Sequence, residues 1–256
     1  MARRRIFALG GGGFSMEPDN PVLDDYLLKL SGAARPKVCF VPTASGDSPE
    51  YVEAFHDALR DRAETSVLWL FAREQRDLRR LVLAQDIVYV GGGSTANLLA
   101  VWRTHGLPEI LAEAADNGTV LAGISAGMNC WFEASVTDSF GPDLAPLHDG
   151  LGFVPGSACP HYDGEELRAS TYRDLVANGF PSGYAADDGC GLLFEDGRLV
   201  DVVSSRIGAD GYRVEVTENG VTETPLEATF LGVPPSHRAD TEAGYSEPPS
   251  SSETLS

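Results

Sequence analysis

The sequence predicts an α/β fold: a doubly wound, mostly parallel sheet flanked by helices, with antiparallel strands at its C-terminal edge. Short apolar runs alternate with helical patterns through the first half of the chain. These runs show little polar alternation, as expected for strands that are covered on both faces. Beyond residue 180, two hairpin signals replace the alternation. A β-α-β-α order followed by hairpins is typical of a parallel sheet that is extended by antiparallel strands.

Each element of this alternation has its own signal. The apolar runs predict strands over residues 5–9, 37–41, 66–70, 86–90 and 119–124. Helical spacing of apolar residues predicts helices over about 21–31, 48–63, 73–84, 95–105 and 108–117. The pairs Asn20-Pro21 and Ser48-Pro49 place a capping residue before a proline, which is a common way for a helix to begin.

The C-terminal part divides into hairpins and a polar tail. Asp196-Gly197 and Asn219-Gly220 each lie between two apolar runs and predict tight turns between antiparallel strands. From residue 234 onward the chain is rich in Pro, Ser, Glu and Thr and has too few apolar residues to form a core. We therefore expect a single domain over residues 1–233 and a disordered acidic tail over 234–256.

Composition excludes several classes of function. The 256 residues carry a formal charge of −19, which disfavours binding to nucleic acid. No apolar run approaches the roughly 20 residues that span a bilayer, so we expect no membrane partner and a cytoplasmic location. The four widely spaced cysteines form no C-x-x-C pair, so we expect no metal site, disulfide framework or cofactor. Exposed edge strands in the C-terminal part would allow a homodimer.

The strongest chemical signal is a G-x-S-x-G motif centred on Ser125. It follows the strand predicted over 119–124 and precedes a helical stretch over 128–132. In that setting a sharp turn presents the serine hydroxyl above the sheet, and larger side chains at Gly123 or Gly127 would collide with neighbouring backbone. Ser125 is therefore a candidate nucleophile, with an ordinary glycine-rich turn as the alternative.

A serine nucleophile requires a base and a carboxylate that orients the base. Of the five histidines, His161 lies in a loop of small residues before a predicted helix, the kind of position where catalytic residues concentrate. The carboxylate remains open. Asp187 and Asp188 follow a short apolar segment, and Asp138 and Glu133 are alternatives. A Ser-His-Asp order along the chain would differ from the Ser-Asp-His order of α/β-hydrolases.

Two further glycine clusters follow predicted strands. Residues 91–93 open the helix predicted over 95–105, and the N–H of Gly92 or Gly93, paired with that of Ala126, would suit an oxyanion. Neither this loop nor residues 10–13 match a dinucleotide fingerprint or a Walker A loop. Phosphate binding is therefore the weaker interpretation.

Three motifs in order resemble the peptidase E (aspartyl dipeptidase) and cyanophycinase family of serine peptidases. They are VGGGSTANLL over residues 90–99, GISAG over 123–127 and CPHY over 159–162. The resemblance implies a fold similar to class I glutamine amidotransferases, with serine where those enzymes carry cysteine. It also implies that Ser125 is the nucleophile and His161 the base. The family acid is typically Glu, and here the matching position points to Asp188, with Asp187 in reserve.

The resemblance also suggests what the site would bind. Asp138 is similar to an acid that follows the serine in peptidase E, and Arg168 is the nearest counterpart of a basic residue that reads an N-terminal aspartyl side chain. We expect hydrolysis of a small peptide or dipeptide through an acyl-enzyme. The alternatives are a non-hydrolytic protein that binds a small anion on the same fold, and an esterase of the α/β-hydrolase class.

Overall fold

The computed structural model describes residues 3–72, 77–164 and 167–233. The tail predicted over 234–256 and the first residues of the helix predicted over 73–84 lie outside these ranges. The first sheet has eight strands, numbered along the chain and listed here as they lie side by side: β14 (Thr229–Phe230), β11 (Arg198–Ser204), β10 (Cys190–Glu195), β1 (Arg5–Leu9), β5 (Val120–Ile124), β4 (Ile87–Val90), β2 (Lys37–Val41) and β3 (Glu64–Val67). From β1 to β3 all neighbours are parallel, whereas β10 pairs antiparallel with both β1 and β11.

Eight α-helices accompany the strands in the described ranges: α1 (Gly13–Met16), α2 (Val22–Leu30), α3 (Pro49–Leu59), α4 (Leu78–Leu83), α5 (Thr95–Thr104), α6 (Leu107–Asp116), α7 (Ala126–Asn129) and α8 (Arg168–Ala177). The predicted start of α3 is confirmed, because the Ser48 hydroxyl accepts the N–H of Tyr51 at 3.3 Å and Pro49 takes the first helical position. None of these helices combines the length and the apolar character that crossing a membrane requires.

Alternate residues of strand β1 pack against two different groups of helices. Ile6 and Ala8 of β1 pack in a core cluster with residues of α5 and α6. Phe7 and Leu9 point the other way and pack with residues of α1, α2 and α3. Because successive strand residues face opposite sides, these two clusters show helices on both faces of the sheet. The doubly wound α/β fold is thereby confirmed.

A second sheet of six strands was not expected. Side by side, its strands are β13 (Gly220–Leu226), β12 (Gly211–Thr217), β9 (Gly183–Ala186), β8 (Val154–Cys159), β6 (Phe132–Thr137) and β7 (Ala145–Leu147). The predicted loop of small residues around His161 was wrong for the residues before it, because Val154–Cys159 form strand β8. Strand β8 buries the small residues Ser157 and Ala158 and has no run of β-branched or aromatic side chains, so it lacks the usual strand signal. The Ser157 hydroxyl is satisfied by the Tyr172 hydroxyl at 2.7 Å.

Both predicted hairpins are present, with two differences. Strands β10 and β11 meet at Asp196-Gly197, as predicted. In the second hairpin Thr217 pairs with Gly220, so the turn residues lie one position earlier than predicted, and β12 and β13 extend the second sheet. Strand β3 also begins two residues before the predicted run over 66–70.

Candidate active site

Ser125 lies between the end of β5 and the start of α7. Its backbone has φ 58° and ψ −113°, a conformation that L-residues rarely adopt and that is typical of a strained strand-to-helix elbow. A methyl group on Gly123 would lie 2.3 Å from the Gly127 carbonyl oxygen, and one on Gly127 would lie 2.3 Å from the carbonyl oxygen of Val90. The two glycines of the motif are therefore required by close backbone approach, as the sequence suggests.

His161 follows the end of β8 and also has a positive φ, of 53°. Its Nδ1 lies 2.6 Å from Oδ1 of Asp188. This hydrogen bond is the main reason that the pKa of Asp188 is lowered, against the opposing effect of burial. Because the carboxylate stays ionised, it accepts a proton held on Nδ1, and the other ring nitrogen, Nε2, remains available as a proton acceptor.

The structure separates the four acids that the sequence leaves open. Asp187 is buried, its Oδ2 accepts from the Asp210 N–H at 3.0 Å and the Tyr212 hydroxyl at 3.2 Å, and burial raises its pKa to about 6. Glu133 lies on β6 and accepts the N–H of Gly156 at 2.8 Å. Asp138 follows the end of β6 in the wall of a cavity. Among the residues described, Asp188 is thus the only one of the four that binds the His161 ring.

Residues 9–11 join the nucleophile, the histidine and the acid through their backbone. The Leu9 carbonyl accepts the N–H of Ser125 at 3.1 Å. The next carbonyl along the chain accepts the N–H of His161 at 3.2 Å, and the one after it accepts the N–H of Gly189 at 3.1 Å. The first two glycines of the cluster over residues 10–13 therefore bind the chain beside His161 and beside Asp188.

Ser125 and His161 line the same cavity, which has a volume of about 440 Å³. No hydrogen bond between the Ser125 hydroxyl and the imidazole is present within residues 3–72, 77–164 and 167–233. Such bonds often tighten only when substrate binds. The remaining lining residues are mostly polar: Gly93, Ser94, Thr95, Asn97, Ala126, Asn129, Thr137, Asp138, Ser139 and Arg168. In the same described ranges, no three His, Cys, Asp or Glu side chains are grouped so as to hold a metal ion.

The backbone donors near Ser125 differ in their availability. The N–H of Gly92 donates to the Tyr51 hydroxyl at 3.2 Å, and Gly92 does not line the cavity. Gly93 and Ala126 do line it, and their N–H groups bind no acceptor among the described residues. As a candidate oxyanion donor beside Ala126, Gly93 therefore fits the geometry better than Gly92.

Within the described part of the chain, the cavity wall contains one arginine and one exposed acid. Arg168, the first residue of α8, is 3% exposed, and its charge helps to lower the pKa of Asp188. Asp138 is exposed at the same cavity. The two substrate-binding candidates from the sequence thus lie with Ser125 and His161 at one site.

Sequence reasoning missed several polar residues of this wall, most notably Asn129. Its side chain is 2% exposed, and its Nδ2 donates to the Thr95 hydroxyl at 3.3 Å and to the Val136 carbonyl at 3.2 Å. Asn129 lies four residues after Ser125, a spacing that places both on one side of a helical turn. The four-residue spacing from Ser125 is therefore the sequence feature that could have identified Asn129.

The sequence is similar to those of known peptidases. The model of Peptidase family S51 matches residues 6–202. A Bacillus subtilis protein named Uncharacterized peptidase YgaJ is 52% identical over 231 residues, which cover 90% of this chain and 100% of that protein. Peptidase E of Haemophilus influenzae is 28% identical over 210 residues, covering 78% of this chain and 91% of its own length.

A solved structure shows the same fold at low sequence identity. The crystal structure of a peptidase from an acI-B1 Actinobacterium superposes with a TM-score of 0.66 at 18% identity, covering 88% of this chain and 95% of that one. The predicted kinship with peptidase E is confirmed by the family match and by the relatives. The chain belongs to peptidase family S51 and is a serine-type peptidase.

Proposed function

We propose that this peptidase cleaves short peptides through a Ser125–His161–Asp188 triad and an acyl-enzyme. The observation that carries the proposal is the 2.6 Å contact between His161 Nδ1 and Asp188 Oδ1, made at the same cavity into which the strained elbow brings Ser125. A carboxylate on Nδ1 fixes the tautomer in which Nε2 accepts a proton.

The steps follow from these roles. His161 Nε2 takes the hydroxyl proton as Ser125 Oγ bonds to the peptide carbonyl carbon, giving a tetrahedral oxyanion. Collapse of that intermediate breaks the C–N bond, and the imidazolium returns the proton to the leaving amine. Water then attacks the acyl-enzyme with His161 again as base, which releases the acid product and restores Ser125. Asp188 stabilises the imidazolium throughout.

The oxyanion needs donors that are already in place. The N–H groups of Gly93 and Ala126 suit this role, because both residues line the cavity and neither N–H is used elsewhere among the described residues. Fixed donors of this kind act without reorganisation during the reaction.

The size and charge of the cavity support a small acidic substrate. A volume of about 440 Å³ is in the range of small-molecule sites and suits a short peptide. A buried guanidinium in the wall favours a carboxylate, and the exposed Asp138 carboxylate favours an ammonium group. A dipeptide with a free N-terminus and an acidic first side chain presents both groups.

The experiment compares Ser125→Ala with Ser31→Ala, a control outside the cavity whose hydroxyl donates to the Leu28 carbonyl and accepts the N–H of Ala33. Hydrolysis of Asp-Leu and of aspartyl p-nitroanilide is measured, together with labelling by a fluorophosphonate. We expect the control to retain both properties and Ser125→Ala to lose labelling and several orders of magnitude in kcat.

Three outcomes would contradict the proposal. Full peptidase activity in Ser125→Ala would remove the nucleophile. Absence of both turnover and labelling in the wild-type protein would favour the non-hydrolytic anion-binding alternative. Turnover of esters without turnover of amides would favour an esterase.

A further inference from the structure

The loop over residues 91–94 is held by hydrogen bonds at three of its four N–H groups. The first and the last donate to backbone carbonyls, at 3.2 and 2.9 Å. The second, that of Gly92, donates to the side-chain oxygen of Tyr51 at 3.2 Å. The third, that of Gly93, binds no residue in the described part of the chain. The one N–H left available therefore lies between two anchored neighbours.

Gly93 itself has little freedom to move. Its φ is 132°, and a methyl group on its Cα would lie 2.2 Å from the Ala44 carbonyl oxygen. The peptide that carries its N–H begins at the Gly92 Cα, which also ends the peptide that carries the Gly92 N–H, so an anchor on the Gly92 N–H fixes the position from which the Gly93 N–H is presented. Tyr51 is the only side chain among these anchors.

Tyr51 is in turn rigidly mounted. It lies in the first turn of α3, where Ser48 accepts its N–H at 3.3 Å. Its ring packs against Phe40 and Phe14, with centroids 5.0 and 5.6 Å away. A methyl group on Gly91 would lie 2.9 Å from the Tyr51 ring, so the ring is in close contact with the loop. The helix start thus fixes the phenol oxygen beneath the glycine loop.

We propose that Tyr51 is a positioning residue for hydrolysis: by accepting the Gly92 N–H, its hydroxyl holds the N–H of Gly93 where the oxyanion forms. This inference rests on the proposed function, because it presupposes that Ser125 attacks a carbonyl. Tyr51 itself makes no contact with substrate in this role. Its contribution appears only when negative charge develops on the carbonyl oxygen, so it should change kcat more than KM.

The test compares Tyr51→Phe with Tyr26→Phe. Tyr26 is a matched control, because its hydroxyl donates to Asp201 at 2.6 Å and does not line the cavity. Removing a direct oxyanion donor costs about 10²–10³ in kcat, so loss of a residue that only positions a donor should cost about tenfold. We expect Tyr51→Phe to lower kcat for aspartyl p-nitroanilide and the rate of fluorophosphonate labelling by that factor. KM should change less than about twofold, and the pH profile should keep its shape.

A second variant separates the hydrogen bond from packing. Phe14→Leu loosens the contacts of the Tyr51 ring but keeps its hydroxyl. Both variants are compared by thermal midpoint and by kcat per active site, titrated with the fluorophosphonate. We expect Phe14→Leu to lose stability while retaining kcat.

The possible failures are distinguishable. Wild-type kcat in Tyr51→Phe, a change confined to KM, or an equal fall of kcat in Phe14→Leu would overturn the role of Tyr51 and leave the proposed triad intact. Wild-type activity in Ser125→Ala would instead overturn the proposed function. If Tyr51→Phe fails to fold while Phe14→Leu folds and loses kcat, the effect is packing and the inference falls.

Discussion

Gly11 lies so close to Asp188 that a methyl group on its Cα would stand 2.0 Å from Asp188 Oδ1, the oxygen that binds His161. An aspartate is one methylene shorter than the glutamate expected from the family resemblance, so it must approach the imidazole more closely. The bare backbone at Gly11 allows that approach. A glycine after the first strand is thus part of the geometry of the acid.

The first prediction concerns this contact. In Gly11→Ala the new methyl group would displace the Asp188 carboxylate and weaken its bond to His161. Misplacement of a catalytic group by about 1 Å can cost about 100-fold, so we expect kcat to fall by roughly that factor. Gly141→Ala is the matched control, because a methyl group there meets no atom within 4 Å. Equal kcat values in the two variants would show that Gly11 is dispensable.

The second prediction distinguishes two neighbouring acids. Asp188→Asn would favour the wrong tautomer of His161, and we expect kcat for aspartyl p-nitroanilide to fall by about 10³–10⁴. Asp187→Asn keeps an oxygen that can accept from Asp210 and Tyr212, so kcat should remain within a few-fold of wild type. The opposite ranking of the two variants, measured by steady-state kinetics on folded protein, would move the acid to Asp187.

The parallel core of the fold was readable from the sequence because its strands are buried on both faces. Strands β1 and β2 match the predicted runs, and β4 and β5 begin one residue later than predicted. The second sheet was missed because its inner strands carry small buried residues: Ser157 and Ala158 in β8, and Ala185 and Ala186 in β9. Small side chains produce neither a strong apolar run nor a clear alternation.

The candidate site was predictable for those residues that each lie in a short local motif. Ser125 and His161 each stand in a recognisable local setting, and both line the cavity. The choice between Asp187 and Asp188 depends on which side chain faces the imidazole, and a local pattern does not encode that direction. Tyr51 lies 41 positions before Gly92 along the chain, and only the packing of the start of α3 against the glycine loop brings them together.

The third prediction concerns the cation in the cavity wall. If Arg168 reads an acidic first side chain, Arg168→Gln should lower the kcat/KM ratio of aspartyl over asparaginyl p-nitroanilide by about tenfold or more, the range for a charge-assisted hydrogen bond. Taking the ratio cancels any general loss caused by changing a buried residue. Arg103→Gln, which removes an exposed ion pair with Asp149, is the control. An unchanged ratio in Arg168→Gln would show that Arg168 does not set specificity.

The fourth prediction concerns Asp24, a buried acid in α2. Its side chain is 3% exposed, and burial raises its pKa from 3.8 to about 7. Arg62 and a hydrogen bond from the Phe14 backbone oppose this shift, whereas Asp25 and Glu17 add to it. Between these two pKa values the folded protein binds more protons than the unfolded chain. The free energy of unfolding should therefore fall as the pH rises from about 4 to about 7.

Asp24→Asn removes this contribution, because an amide stays neutral at every pH in that window. We expect urea unfolding of the variant to show a flatter pH dependence than wild type between about pH 4 and 7, with a gain in stability above pH 7 of up to roughly 4 kcal/mol. Asp19→Asn, at an exposed position, should retain the wild-type slope. If the slopes of wild type and Asp24→Asn coincide, Asp24 is ionised in the folded protein at neutral pH. Its burial is then offset by the Arg62 guanidinium and the Phe14 N–H.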